Sequence, residues 1–121
     1  MTDEGVAPLV LIVEDELMIA STLELTLGMR GYRVLGPAAT VEEATQLLQN
    51  ARPDVALIDY RLARTTTEVL LPLLEEQDIP VCVLTGYNAA QLPPAYENCA
   101  VLEKPFPMQQ LVSVIEDLSK R

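Results

Sequence analysis

Five short apolar runs recur along the chain: Leu9 to Val13, Tyr32 to Leu35, Val55 to Ile58, Val81 to Leu84 and Ala100 to Leu102. Most are continuous and rich in β-branched residues rather than alternating. That is how strands buried on both faces of a parallel sheet read. Helical patterns lie between them. Ile19, Leu23 and Leu27 step by four, with Gly31 as a stop signal. Val41, Ala44, Leu47 and Leu48 form a second stripe, opened by a capping box of Thr40 and Glu43. Val69, Leu70, Leu73 and Leu74 form a third. Pro72 sits inside it, so that helix starts late or bends. Leu111, Val112, Ile115 and Leu118 form the last, with Pro107 near its start and Lys120 and Arg121 at its end. Between Tyr87 and Asn98 the order asks for a fourth helix, but Pro93-Pro94 breaks one, so a short or irregular helix is expected there.

Strand and helix thus alternate five times. This predicts an α/β fold, an open parallel sheet with helices on both faces and right-handed crossovers. A chain of 121 residues can bury one core, so residues 1–121 are expected to form a single domain.

Composition narrows the function. Eighteen acidic residues against eight basic ones give a net charge of -10 with no basic stripe, which argues against a nucleic-acid partner. The absence of histidine excludes histidine triads, histidine metal sites and a histidine phosphodonor. Chemistry must therefore use carboxylates, Lys104 or a metal. Cys82 and Cys99 make no disulfide framework, and Cys82 reads as a buried free thiol. The acidic start lacks the basic region of a signal peptide, and no apolar run approaches the ~20 residues that span a bilayer. A cytoplasmic protein without membrane contact is the expectation.

In open α/β sheets, sites gather at the carboxyl edge of the strands. The first run stops at Glu14-Asp15-Glu16, the third at Asp59, the fourth at Thr85-Gly86 and the fifth at Glu103-Lys104-Pro105. Each has an ordinary reading alone: helix-start acids, a turn cap, a strand threonine, a loop lysine. All four directly following apolar runs is the informative coincidence.

These residues carry a resemblance. Val13-Glu14-Asp15-Glu16, Leu57-Ile58-Asp59, Leu84-Thr85-Gly86 and Leu102-Glu103-Lys104-Pro105-Phe106 are similar, in order and spacing over essentially the whole chain, to the response-regulator receiver domains of two-component signalling. The resemblance implies a flavodoxin-like doubly wound sheet of order 2-1-3-4-5 with five helices. It implies Asp59 as phosphoacceptor, Asp15 and Glu14 as Mg²⁺ ligands together with Asp59 and the backbone carbonyl of Arg61, and Thr85 and Lys104 as the groups that meet the phosphoryl oxygens. The Lys104–Pro105 bond is usually cis in the family. The implied partners are a histidine kinase or histidine phosphotransfer protein, and a downstream protein target. The expected state is a monomer or a phosphorylation-dependent homodimer. The Met1 start and the unbroken family length lead to the expectation of a stand-alone receiver.

Elementary electrostatics agrees. Three carboxylates ~5 Å apart repel by roughly 3 kcal/mol per pair at an effective dielectric of 20. Lys104 offsets part of this, and a hard divalent cation with oxygen ligands would relieve the rest. Phosphorylation would add charge and acceptor oxygens at the same edge, shifting the fourth and fifth elements.

The chain departs from the family pattern at three places. Val101 stands where an aromatic residue usually couples to the threonine, and Tyr87 is a candidate substitute. The stretch from Tyr60 to Thr67 lacks the usual proline and glycine, and bulky Arg61 and Tyr87 occupy positions that tune dephosphorylation, which predicts a long-lived phosphoryl state. Pro93-Pro94 interrupts the helix that often forms the dimer face. Two other function classes fit the sequence less well. A haloacid-dehalogenase-type phosphatase needs an acid/base aspartate two residues after the nucleophile, where Arg61 stands, so the chain is not expected to be an enzyme. A degenerate receiver acting as an unphosphorylated scaffold fits Val101 but not the retention of Asp15, Asp59, Thr85 and Lys104.

Overall fold

The computed structural model describes residues 7–86 and 89–120. Tyr87 and Arg121, both singled out above, lie outside the described residues. The strands are β1 (Leu9–Val13), β2 (Arg33–Ala38), β3 (Val55–Asp59), β4 (Val81–Thr85) and β5 (Ala100–Glu103). They form one parallel sheet of order β2-β1-β3-β4-β5. The apolar runs locate every strand. Those of β3, β4 and β5 extend one residue further, so that β3 ends on Asp59 and β4 on Thr85.

The period of two divides the strands' side chains between two cores. Val10, Ile12, Leu57, Cys82 and Leu84 pack on one face against Leu23 and Leu27 of α1 (Leu17–Met29) and Leu111, Ile115 and Leu118 of α4 (Met108–Ser119). Leu11, Val13, Ile58 and Val83 pack on the other against Ala44 and Leu48 of α2 (Val41–Asn50), Leu70, Tyr96, and Leu74 of α3 (Leu71–Glu76). Cys82 is a buried free thiol whose pKa burial pushes up to about 12, consistent with a packing role.

The capping box forms with a shift. Thr40 Oγ1 accepts from the Glu43 N–H at 3.0 Å, while Glu43 Oε1 accepts from the N–H of Ala39 at 2.9 Å, one residue before the cap. The third helix does start late. A single 3-10 turn at Glu68–Leu70 precedes α3, and Pro72 falls in the first turn of α3, where its missing N–H costs nothing. Val69 is 65% exposed, so it leaves the apolar stripe assigned to it.

The expected five helices become four α-helices among the described residues. In place of a fourth helix, the β4–β5 connection holds two 3-10 turns, Ala89–Gln91 and Pro94–Tyr96. Pro93-Pro94 removes two successive donors and holds Pro93 at ψ 155°, which blocks an α-helix through this stretch.

Two local features position the site. Gly36 has φ +99°, and a Cβ there would meet the Ala38 nitrogen at 2.8 Å and the Ile12 oxygen at 3.0 Å. This irregular turn adds a residue to β2, so that Leu11 pairs with Leu35 but Val13 pairs with Ala38. The Ala38 carbonyl then accepts from the Glu14 N–H at 2.9 Å and anchors the first acidic residue beyond β1. At β5, the Lys104–Pro105 bond is cis, as in the family pattern, and the Lys104 N–H donates to the Thr85 carbonyl at 2.7 Å.

Candidate phosphoacceptor and metal site

The carboxyl ends of β1, β3, β4 and β5 bring the residues named from the sequence to one edge. Carboxylate oxygens of Glu14, Asp15 and Asp59 lie within 4.8 Å of one another. Glu14 and Asp59 are buried, and Asp15 is the more exposed of the three. Lys104 bridges the two buried carboxylates, with Nζ 2.9 Å from Asp59 Oδ1 and 3.3 Å from Glu14 Oε1. Glu14 Oε2 accepts from the Glu16 N–H at 3.1 Å, which orients the carboxylate at the start of α1.

The charges do not balance. One ammonium faces three carboxylates, two of them withdrawn from water. Burial raises the Asp59 pKa to about 6, Glu14 adds to the rise, and the Lys104 contact works against it. Burial alone would lower the Lys104 pKa, but hydrogen bonding and attraction to Asp59 and Glu14 outweigh it, and the result is raised. Hard oxygen donors with excess negative charge suit a hard cation, so the donor set fits a metal ion. Thr85, 2% exposed, shares a cleft of about 340 Å³ with Asp59, Tyr60, Arg61, Gly86 and Lys104. The Arg61 side chain is exposed and leans over the Tyr60 ring, its Cζ 5.9 Å from the centroid.

A parallel sheet of this order with acids, threonine and lysine at its carboxyl edge is matched by the family model of the response regulator receiver domain over residues 10–116. The chain belongs to that family. It is 30% identical to the transcriptional regulatory protein PdtaR of Mycobacterium tuberculosis over 118 residues, 94% of this chain and 58% of that one. It is 32% identical to the phyllosphere-induced regulator PhyR of Methylorubrum extorquens, over 88% of this chain and 41% of that one. The receiver thus spans about half the length of these relatives. The receiver domain of Francisella response regulator 1452 superposes with a TM-score of 0.81 at 26% identity, covering 94% of this chain and 98% of that one.

Two residues near the receiver's site escaped the sequence reading. Thr67 is fully buried and its hydroxyl donates to the Asp59 carbonyl at 2.7 Å. Tyr96 is 1% exposed and its hydroxyl lies 3.0 Å from Thr67 Oγ1. Thr67 sits in a run of three threonines and Tyr96 in a proline-flanked turn, so neither follows an apolar run. Val101 is half-buried and packs at the edge of the same core as Tyr96. Among the described residues no helix is long and apolar enough to cross a membrane.

Proposed function

We propose that this receiver is a Mg²⁺-dependent phosphoacceptor that takes a phosphoryl group on Asp59 from a histidine kinase or histidine phosphotransfer protein. The observation that carries the reading is the bridge Glu14–Lys104–Asp59 inside the acidic cluster. A carboxylate oxygen of Asp59 forms a bond to the donor's phosphorus as the donor's own bond to phosphorus breaks. Glu14, Asp15, Asp59 and the Arg61 carbonyl would hold the metal ion, which supplies charge neutralisation during the transfer. Lys104 leaves its carboxylate partner and pairs with a phosphoryl oxygen, and the Thr85 hydroxyl donates to another. The net charge at this edge becomes more negative, and the new acceptor oxygens favour a second placement of the strand ends and of the β4–β5 connection.

The chain turns over no substrate beyond its own phosphoryl group in this reading, and its phosphorylated edge offers a contact to a protein or passes the phosphate onward. Large apolar side chains lie exposed on α1, at Leu17, Met18, Leu25 and Met29, and the first turn of that helix borders the acidic cluster. A protein donor docking there would bring its phosphoryl group to the correct edge.

Intact-mass spectrometry after incubation with acetyl phosphate tests the proposal, with and without Mg²⁺ and beside Asp59→Asn. One added phosphoryl group that requires both Mg²⁺ and Asp59 supports it. Uptake that persists in the Asp59→Asn variant refutes the assignment. Bulky Arg61 beside the cleft restricts water's approach to an acyl phosphate on Asp59, which predicts slow loss of the label after the donor is removed, and rapid loss would contradict this.

A further inference from the structure

Tyr96 connects the site to the β4–β5 crossover, whose described residues hold 3-10 turns in place of an α-helix. Its ring meets that of Tyr60 edge-on, with centroids 5.3 Å apart and planes at 83°. The Thr67 hydroxyl is 2.7 Å from the Asp59 carbonyl oxygen and 3.4 Å from that of Tyr60, so its single proton is committed to the main chain of the acceptor strand. The Tyr96 hydroxyl therefore donates to Thr67 Oγ1, and the order is Tyr96 O–H to Thr67 O–H to Asp59 C=O. The Thr67 N–H also donates to the Tyr60 carbonyl at 3.1 Å, and Leu62 N–H to the Thr65 carbonyl at 2.8 Å. These bonds, with the bridge between Arg61 and Thr66, close the loop that carries the Arg61 carbonyl.

We propose that Tyr96 is a positioning residue for the Asp59 site and the strut that ties residues 89–99 to it, the role Val101 is too small to fill. The inference rests on the phosphoacceptor reading. A ligand drawn to the Asp59 side chain or the Arg61 carbonyl pulls on a main chain whose Asp59 carbonyl is held by Thr67. Any displacement there alters the Thr67–Tyr96 bond directly. Tyr96 in turn accepts, at its own carbonyl, the N–H of Cys99 at 3.0 Å, just before β5 and Lys104. The buried path is a chain of hydrogen bonds with discrete made and broken states, which is the physical requirement for coupling.

Tyr96→Phe removes the hydroxyl and keeps the ring against Tyr60, and Thr67→Val removes the other hydroxyl at nearly constant volume. Mg²⁺ affinity is measured by titration calorimetry. Amide exchange at Thr67 and Cys99 is followed by NMR, with and without Mg²⁺ and acetyl phosphate. In the unaltered chain both amides are expected to respond to loading of the site. Tyr96→Phe should weaken Mg²⁺ binding by up to about 10-fold, the low end for a partner bonded directly to a metal ligand, because Tyr96 acts one hydrogen bond further out. It should also abolish the response at Cys99 while leaving one at Thr67. The double variant should lose little beyond Thr67→Val alone, because the Tyr96 hydroxyl acts through Thr67. A Tyr96→Phe protein with unchanged Mg²⁺ affinity and an unchanged Cys99 response overturns the inference, even if its melting temperature falls. An unaltered chain that binds no Mg²⁺ overturns the phosphoacceptor reading and this inference together, so the two failures are distinguishable.

Discussion

The two faces of the sheet are covered by different means. On one, α1 and α4 supply 13 and 12 residues of regular helix, and Leu23, Leu27, Leu111, Ile115 and Leu118 are buried at helical spacing. On the other, α2 has ten residues, α3 has six, and the described residues of the β4–β5 connection hold 3-10 turns in place of a helix. Tyr96 there does with one aromatic ring and one hydroxyl what a row of helical side chains does elsewhere. Short helices and 3-10 turns contribute few cooperative hydrogen bonds, so this is the face where local opening costs least. The Thr67–Tyr96 pair lies on that face and touches the main chain of Asp59. The regular face holds the strands in register, and under the proposed function the other face supplies the parts that change with the state of the site.

The largest expected effect lies on the regular face. Ile115→Ala or Leu23→Ala should each lower unfolding free energy by about 2–5 kcal/mol, read from urea midpoints, since both side chains are fully buried. A loss below about 1 kcal/mol would mean that this face is not the stable one.

The next effect has the opposite sign. A buried acid whose pKa is raised to about 6 binds its proton more tightly folded than unfolded. The stability tied to that proton is fully present below the unfolded pKa near 4 and is lost as pH rises through about 6. Asp59→Asn should therefore stabilise the metal-free protein at pH 7 by at most about 3 kcal/mol, two pKa units' worth, and by less as Lys104 loses a charged partner. Urea midpoints in chelator at pH 7 and pH 4 would check this. The advantage should shrink at pH 4, and a variant destabilised at pH 7 would show that the Lys104 pair outweighs burial.

Gly36→Ala tests the bulge under Glu14. A Cβ 2.8 Å from a backbone nitrogen, at φ +99°, should cost about 1–3 kcal/mol. It should also weaken metal binding, because the Ala38 carbonyl that anchors Glu14 must shift.

The smallest effect sharpens the comparison within the weaker face. Thr40→Ala removes the cap of α2 and should cost about 1 kcal/mol. Tyr96→Phe should cost a similar amount, since one buried hydroxyl leaves Thr67 Oγ1 without its donor. Amide exchange separates them. The cap variant should speed exchange in α2 alone, whereas the tyrosine variant should speed it in residues 60–67 and 94–99 together.

Most of the site was legible because its residues terminate strands. Asp59 and Thr85 follow apolar runs directly and Lys104 comes one residue later, after Glu103, and a parallel sheet delivers every strand's carboxyl end to one edge. Glu14 and Asp15 follow for the same reason. Thr67 and Tyr96 were not legible, because they meet across a loop and a broken helix whose paths no periodicity describes.

Local pattern therefore determined which segments are strands, where helices begin and where Pro93-Pro94 forbids one. Those outcomes depend on side-chain spacing and on backbone donors within a few residues. Only the tertiary structure decided the extra residue in β2 that anchors Glu14, the bridging of two buried carboxylates by Lys104, and the hydroxyl path from Asp59 to Tyr96. Each of these joins groups far apart in the chain, and hydrogen bonds and charge pairs depend on distances of a few ångströms that only the packed sheet sets.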